Sequence, residues 1–110
     1  MDRSTNSINH APGGLDQLDA LLQHRARLGT MVLLSAIDEI TFSTLRGLLK
    51  ETDGNLGAQL RKLEEAEYIA VKKEFQDRKP VSWYSLTPVG RRALKRHLAA
   101  METVVRSAGV

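Results

Sequence analysis

Hydrophobic residues recur every three or four positions over much of the chain, which is the spacing of amphipathic helices. Leucines follow this period from Leu15 to Leu22, and a longer aliphatic pattern begins near Arg25. These patterns predict a short first helix and a second, largely buried one. Residues 1–14 lack any such periodicity and end in a Pro-Gly-Gly run, so we expect a mobile tail ahead of one domain spanning residues 15–106.

Two short helical patterns follow, separated by only a few residues. Ser43 is suited to cap the first of them, after an expected three-residue edge strand at 40–42. Thr52 is suited to cap the second, which runs to Ala66. The predicted buried stripes are Leu45, Leu48 and Leu49 in the first helix, and Leu56, Leu60 and Leu63 in the second. A turn this short between two amphipathic helices is typical of a helix-turn-helix.

After Tyr68 the period changes from that of a helix to that of a strand. Residues 69–75 and 83–86 alternate, which predicts a hairpin, and the polar loop 76–80 between them is expected to project as a wing. Thr87 then caps a final helix with Pro88 in its first turn. The predicted fold is mainly α with a small β-hairpin (α+β): a winged helix-turn-helix with five helices and a two- to three-stranded antiparallel wing sheet.

Composition excludes several kinds of function. The 110 residues include no cysteine, which removes disulfides, thiolate metal sites and cysteine nucleophiles. No apolar run approaches the roughly 20 residues of a membrane span, so we expect a cytoplasmic protein without membrane contact. No phosphate-binding loop, paired-carboxylate signature or nucleophile motif is present, so we expect no enzyme activity and no cofactor. Three scattered histidines are weak evidence for a metal site, and none is predicted.

Positive charge is concentrated in the helix-turn-helix and hairpin region. The chain has a formal net charge of +3, whereas residues 46–96 contain twelve Lys or Arg and seven Asp or Glu. A local excess of this kind favours an anionic partner such as double-stranded DNA. The alternative is a solvated face that any amphipathic helix requires, with hairpin lysines that protect an edge strand.

The second helix of the helix-turn-helix, about residues 53–66, is the predicted recognition helix. Asn55 has the donor and acceptor that match adenine, and Arg61 has the fork that matches guanine. Gly54 and Gly57 should each cost roughly 1 kcal/mol relative to alanine, which close approach to another surface would justify. For Asn55 a local capping role stays open as the alternative. The complete set of predicted DNA contacts is Ser43, Arg46, Thr52, Gly54, Asn55, Gly57, Ala58, Gln59, Arg61, Lys62, Lys72, Arg78 and Lys79.

Several segments together resemble small bacterial winged-helix transcriptional regulators related to the MarR and ArsR groups. The segments are Thr52-Asp53-Gly54-Asn55-Leu56-Gly57, Leu60-Arg61-Lys62-Leu63-Glu64-Glu65-Ala66, Arg78-Lys79-Pro80 and Tyr84-Ser85-Leu86-Thr87-Pro88-Val89-Gly90. The resemblance covers roughly residues 15–101 and implies a dimeric repressor or activator of transcription whose outer helices pair the subunits. One departure is Glu67, where such proteins usually have glycine. It must adopt a left-handed conformation at a cost of ~1 kcal/mol or end the helix differently.

One recognition helix makes too few contacts for useful specificity, so a homodimer is expected. The predicted interface consists of Leu15, Leu18, Leu22, Leu94, Leu98, Met101 and Val105. The alternative is that these residues simply cover the core. The expected partners are double-stranded DNA and a second copy, with room for an unidentified small-molecule effector. The rival function is a winged helix that binds proteins and not DNA, since fold alone does not fix function.

Overall fold

A computed structural model of the protein describes residues 11–109. Within this range the chain forms four α-helices and three strands, preceded by two short 3₁₀ segments. In chain order they are the 3₁₀ segments Leu15–Gln17 and Ala20–Gln23, α1 (Arg25–Ala36), β1 (Ile40–Thr41), α2 (Phe42–Leu49), α3 (Asp53–Glu65), β2 (Ile69–Gln76), β3 (Lys79–Leu86) and α4 (Pro88–Ser107). The prediction of a mainly helical winged helix-turn-helix with a small antiparallel sheet is confirmed.

The prediction of five helices is wrong, because the leucine pattern from 15 to 22 does not form a continuous helix. The backbone is extended at Leu18 and Asp19, which separates the two 3₁₀ segments. This break lets Asp19 make long-range contacts: its backbone N–H donates to Nδ1 of the buried His97 over 2.9 Å, and its carboxylate accepts from the hydroxyl of Tyr68. Tertiary hydrogen bonds therefore override the local helical period.

Most of the predicted tail, residues 1–10, lies outside the described residues. Its last part does not stand apart from the domain. A Cβ atom built on Gly14 would lie 2.6 Å from the carbonyl oxygen of Ala100, so this segment packs directly on α4. The left-handed φ of 93° at Gly14 then turns the chain into the first 3₁₀ segment.

The sheet has the order β1-β3-β2 and is antiparallel throughout. Ile69 and Tyr84 anchor its inner end in the core, while the outer half of the hairpin is exposed. The predicted long loop at 76–80 is wrong: Gln76 pairs with Lys79, which leaves a two-residue turn. Asp77 and Arg78 both take positive φ angles, 50° and 68°, as the hairpin turns that match strand twist require.

The core is aliphatic and lies where α1, α2 and α3 meet the sheet and α4. It includes Leu22, Met31, Leu34, Ile40, Leu45, Leu49, Leu56, Leu60, Leu63, Ile69, Tyr84 and Leu94. The predicted stripe of α3 is confirmed, whereas Leu48 of α2 is 55% exposed and does not belong to its stripe. Leu22 and Leu94 are buried within the single chain, so they serve this core and are not available to the predicted dimer interface.

At the junction between α3 and β2, Glu67 takes the left-handed conformation, which is one of the two alternatives that the sequence left open. Its φ is 64°, its N–H donates to the carbonyl of Glu64, and the N–H of Tyr68 donates to that of Leu63. These two bonds form a Schellman motif, which normally has glycine in the left-handed position. The hydroxyl of Thr87 then donates to the Glu67 carbonyl over 2.6 Å, so the start of α4 holds this junction in place.

Candidate nucleic-acid interface

The first helix of the helix-turn-helix, α2, is capped by a different residue from the one that the sequence predicted. The side chain of Thr41, and not Ser43, accepts the capping hydrogen bond, from the N–H of Thr44 over 3.2 Å. Phe42 therefore already belongs to α2, and the edge strand is two residues long. Ser43 lies exposed in the first turn of α2, where unpaired backbone N–H groups favour anions.

A tight turn leads from α2 into α3. Lys50 ends α2 with a φ of 55°, and its N–H donates to the carbonyl of Gly47 over 3.3 Å. Two residues later Thr52 caps α3, as predicted, by accepting from the N–H of Asn55 over 3.2 Å. The bound hydroxyl still has its own hydrogen free to donate, so the predicted phosphate contact of Thr52 is compatible with its cap.

The outward face of α3 combines small residues with cations. Gly54, Arg61 and Lys62 are exposed, and Gly57 and Ala58 are partly exposed. A Cβ atom added at Gly54 or at Gly57 would meet no atom of residues 11–109 within 4 Å beyond the backbone of its own helix. Packing within the described residues therefore does not explain the two glycines. Because they have no side chains, another molecule can approach the backbone of α3 closely at these positions.

Asn55 is exposed, but its amide group is already hydrogen-bonded within the chain. Its Nδ2 donates to the carboxylate of Glu51, and its Oδ1 accepts from Nε2 of Gln59 over 3.3 Å. Each amide atom has two hydrogen-bonding positions, so one donor and one acceptor remain. A remaining pair of this kind is what bidentate contact with adenine needs. The capping role that the sequence left open for Asn55 is taken by Thr52, while the Asn55 side chain bonds to side chains one helical turn away and keeps a free donor and acceptor for a base.

Gln59 is not a surface residue, which corrects its predicted place among the DNA contacts. It is only 9% exposed, and its Oε1 accepts a hydrogen bond from the guanidinium of Arg27 on α1. Because Gln59 also donates to Asn55, it connects α1 to the candidate base reader. The sequence offered no signal for this connection, since Arg27 and Gln59 are 32 residues apart.

Acidic side chains hold two arginines near the start of α3. Arg46 of α2 lies 3.0 Å from the carboxylate of Asp53, and Arg25 of α1 lies 2.6 Å from that of Glu51. Arg46 was predicted to contact phosphate. Because it pairs with Asp53, its guanidinium is already partly neutralised in the free protein. Glu51 was not predicted to take part, yet it contacts both Arg25 and Asn55.

The wing carries cations with and without carboxylate neighbours. Lys72 lies 3.5 Å from Glu39 and 3.7 Å from Glu74. By contrast, no carboxylate among residues 11–109 lies within ion-pairing distance of Arg78 or Lys79, or of Arg61 and Lys62 on α3. The predicted wing cations are therefore divided: Lys72 is engaged, while Arg78 and Lys79 are available to a partner.

Tyr84 connects the sheet to the recognition helix. Burial raises the pKa of its hydroxyl above the ordinary value, and the negative charge of Glu64 raises it further. The positive charge of Arg61 acts on the same pKa in the opposite direction. Glu64 and Arg61 of α3 therefore both lie close enough to Tyr84 for their charges to act on its hydroxyl.

Other kinds of site find little support in the part of the chain that the structure describes. No helix there is both long and apolar enough to cross a membrane. Between residues 11 and 109, no three His, Asp or Glu side chains come together in a way that could hold a metal ion.

The fold and this surface define a winged helix-turn-helix, and sequence comparison identifies its family. Residues 26–105 match the family model described as a winged helix DNA-binding domain, so the chain belongs to this family. No curated protein matches the sequence. The resemblance to MarR-like winged-helix transcriptional regulators is confirmed.

Three solved structures illustrate the likeness. A transcriptional regulator homologue from Pyrococcus horikoshii OT3 is 29% identical with a TM-score of 0.76, and the match covers 82% of this chain and 89% of that one. A MarR-family transcriptional regulator from Silicibacter pomeroyi is 26% identical with a TM-score of 0.61, covering 77% of this chain and 56% of that one. The YusO protein of Bacillus subtilis, 19% identical with a TM-score of 0.71 and coverage of 86% and 67%, shares the fold.

Proposed function

We propose that this protein is a homodimeric transcriptional regulator that binds specific sites in double-stranded DNA. In this account α3 enters the major groove, where Asn55 and Arg61 read bases and the glycines allow close approach. The wing tip, within residues 76–80, contacts the flanking backbone or minor groove through Arg78 and Lys79. Ser43, Arg46, Thr52 and Lys62 contact phosphates, which fixes the register of the helix on the duplex.

The observation that carries this proposal is the set of unpaired cations on α3 and the wing. Arg61 and Lys62 on α3, and Arg78 and Lys79 on the wing, have no carboxylate within ion-pairing distance in the described range, whereas Arg46 and Lys72 do. The two cations of each set are adjacent in sequence, so they repel one another unless an anion binds to them. Neutralising the phosphates of a duplex would remove that repulsion and release counterions.

The homodimer is supported by an apolar stripe on α4. Leu98, Met101 and Val105 are 43%, 37% and 49% exposed, and Leu15 at the N-terminal end of the domain is 42% exposed. A second copy related by two-fold symmetry would cover the stripe and place two recognition helices on one duplex. Leu18 is partly buried beside this stripe. Sedimentation should give a dimer at micromolar concentration, and a monomer there would contradict this part of the proposal.

A cavity next to this stripe is the place where an effector would bind. It measures about 300 Å³ and is lined by Leu18, Leu22, Gln23, Leu28, His97 and Met101. Its mostly apolar lining with two polar side chains suits a small, partly apolar molecule. His97 also accepts the hydrogen bond from Asp19, which in turn bonds to Tyr68 next to the recognition helix. A ligand in the cavity would contact His97, and these two hydrogen bonds would link it to Tyr68 after the end of α3.

The rival function is a winged helix that binds another protein. An exposed apolar side chain on the wing or recognition helix is the feature that would favour it, and Phe75 on the wing is 77% exposed. Phe75 is one apolar side chain on a wing that also carries Arg78 and Lys79, and the leucines of α3 are all buried. The charge around it favours DNA.

Selection of bound sites from random duplexes with the purified protein tests the proposal. We expect enrichment of a two-fold symmetric sequence whose half-sites lie about one helical turn apart, roughly 10 base pairs. Arg61→Gln should relax the preference at one base pair of each half-site, by ~1–3 kcal/mol of discrimination. Failure to enrich any sequence, together with capture of a protein by α3 or the wing, would establish the rival function instead.

A further inference from the structure

Phe75 presents an aromatic ring near the tip of the wing with almost no cover from its own chain. The ring is 77% exposed, the most of any large hydrophobic side chain in the described range. Its cross-strand partner is Pro80, which is also exposed. The two residues lie one step from the turn. Because Gln76 and Lys79 close the two-residue turn as the hydrogen-bonding pair, Phe75 and Pro80 form the next, non-hydrogen-bonded pair, where side chains approach most closely.

This pair forms a stiff apolar facet at the edge of the molecule. Proline adds no side-chain entropy and the phenyl ring has only two rotatable bonds, so little freedom is lost when the facet is covered. Pro80 also has no N–H, and in this register its nitrogen points toward the free edge of β3. A partner strand therefore cannot pair fully along that edge. The geometry disfavours a protein that binds by extending the sheet.

The charges on this side of the hairpin select an anionic partner. Side chains alternate between the two faces of a strand, so Phe75 shares its face with Lys73, whereas Glu74 lies on the other face. Arg78 occupies the turn beside this face, whereas Lys79 pairs with Gln76 and lies on the same face as Glu74. Neither Arg78 nor Lys79 has an ion-pair partner in the described range. Asp77 is the one acidic residue at the tip, and it occupies the turn itself.

The facet also borders the start of α2. A groove of about 260 Å³ is lined by Thr41, Phe42, Ser43, Pro80, Val81 and Ser82. The first turn of α2, with exposed Ser43, is a proposed phosphate contact, so a DNA backbone lying there passes the Pro80 side of the hairpin. The apolar parts of that backbone are its sugars, and the openings between base steps lie in the minor groove beside them.

We propose that Phe75, supported by Pro80, is an apolar DNA contact that packs on sugars and base edges of the minor groove next to the recognition site. Arg78 and Lys79 supply charge to the backbone on either side. The inference rests on the proposed DNA-binding function and adds a contact that is independent of salt. It also accounts for the exposed ring without a protein partner.

The test compares Phe75→Ala with three other variants on the selected duplex over a range of salt concentrations. Phe75→Ala should weaken binding by about tenfold at every salt concentration, because an apolar contact releases no counterion. Phe75→Leu should retain most of the affinity. Lys79→Gln should instead reduce the salt slope by about one. Val89→Ala, which trims an exposed apolar residue in the first turn of α4, should leave binding unchanged.

The outcomes separate this inference from the proposed function. Unchanged affinity in Phe75→Ala, with a reduced slope in Lys79→Gln, would overturn the role of Phe75 and leave DNA binding intact. Loss of the dimer in Phe75→Ala would assign the ring to contact between copies and would also overturn it. Absence of duplex binding by the unaltered protein would overturn both proposals. Thermal unfolding of each variant excludes misfolding as the cause, since Phe75 supports no core contact.

Discussion

Arg46 and Asp53 form an ion pair across the turn of the helix-turn-helix, with 3.0 Å between the guanidinium Nη1 and the carboxylate Oδ1. Both side chains are largely exposed, so the pair stabilises the fold by at most about 1 kcal/mol. Its position matters more than its strength. Arg46 is a predicted phosphate contact, and Asp53 is an anion in the first turn of the recognition helix. If Arg46 contacts a phosphate as proposed, Asp53 competes with that phosphate for the guanidinium.

Asp53→Asn should bind duplex DNA more tightly than the unaltered protein. The change frees Arg46 and removes a carboxylate that repels phosphate, so we expect a gain of about three- to tenfold at low salt that shrinks as salt screens it. The helix should lose ~0.3–1 kcal/mol, because Asp53 interacts favourably with the helix dipole. Glu102→Gln, which breaks the exposed Arg106 pair at the end of α4, is the matched control. Weaker binding by Asp53→Asn would show that Asp53 orients Arg46 and does not compete with DNA.

Gly90→Ala should destabilise the protein strongly. A Cβ at this position would lie 2.0 Å from the carbonyl oxygen of Tyr68, and neither backbone can move without breaking the cap of α4 at Thr87. We expect a loss of ~1–3 kcal/mol or more in the free energy of unfolding. Gly57→Ala is the control, since its methyl group meets nothing within 4 Å. That variant should gain up to ~1 kcal/mol from helix propensity. Equal stability of the two variants in urea would contradict the close contact.

Arg78→Gly should separate stability from binding. Arg78 holds a φ of 68° in the wing turn, a conformation that glycine adopts without strain. The substitution should stabilise the hairpin by ~0.5–1 kcal/mol while it weakens duplex binding by removing an unpaired cation. Chemical unfolding and fluorescence anisotropy on the same preparation measure the two effects. Arg78→Gln controls for charge alone and should weaken binding without the gain in stability. A loss of stability in Arg78→Gly would mean that the guanidinium supports the turn.

Stability should fall at high pH through Tyr68. Burial, followed by the hydrogen bond to Asp19 and the charge of that carboxylate, raises the pKa of its hydroxyl from 10.0 to about 12. Folding therefore favours the neutral phenol. The resulting stabilisation is complete below pH 10.0 and is lost as pH rises through about 12. The free energy of unfolding of Tyr68→Phe should decline less over this interval than that of the unaltered protein. Identical declines in the two proteins would show that ionisation of Tyr68 does not cause the loss of stability.

Local periodicity identified the helix-turn-helix, the hairpin and the stripe of α3, because each is built from contacts between neighbouring residues. For Glu67 the sequence left open a left-handed conformation or a different helix end, and the structure has the left-handed one. The prediction of a helix from Leu15 to Leu22 was wrong because contacts between distant residues decide the conformation of this segment. Asp19 leaves the helical conformation to reach His97 and Tyr68, and the separation between these residues hides the contacts from any local pattern.

In the candidate site, too, the sequence predicted the features set by neighbouring residues and missed those set by distant contacts. Composition and helical phase placed Arg61 and Lys62 on the outward face of α3, and both are exposed. Gln59 was among the predicted DNA contacts, but its hydrogen bond to Arg27 on another helix draws it inward. The loop 76–80 was predicted to be too long for a two-residue turn. Asp77 and Arg78 nevertheless adopt the positive φ angles that a two-residue turn requires.

The dependence of duplex affinity on salt tests the central claim most directly. The logarithm of the binding constant should fall steeply with the logarithm of salt concentration, and neutralising Arg78 and Lys79 together as glutamines should reduce the slope by about one to two. Arg106→Gln, which removes a cation at the far end of α4, should leave the slope unchanged. Affinity that does not vary with salt, or no affinity for any duplex, would contradict the account.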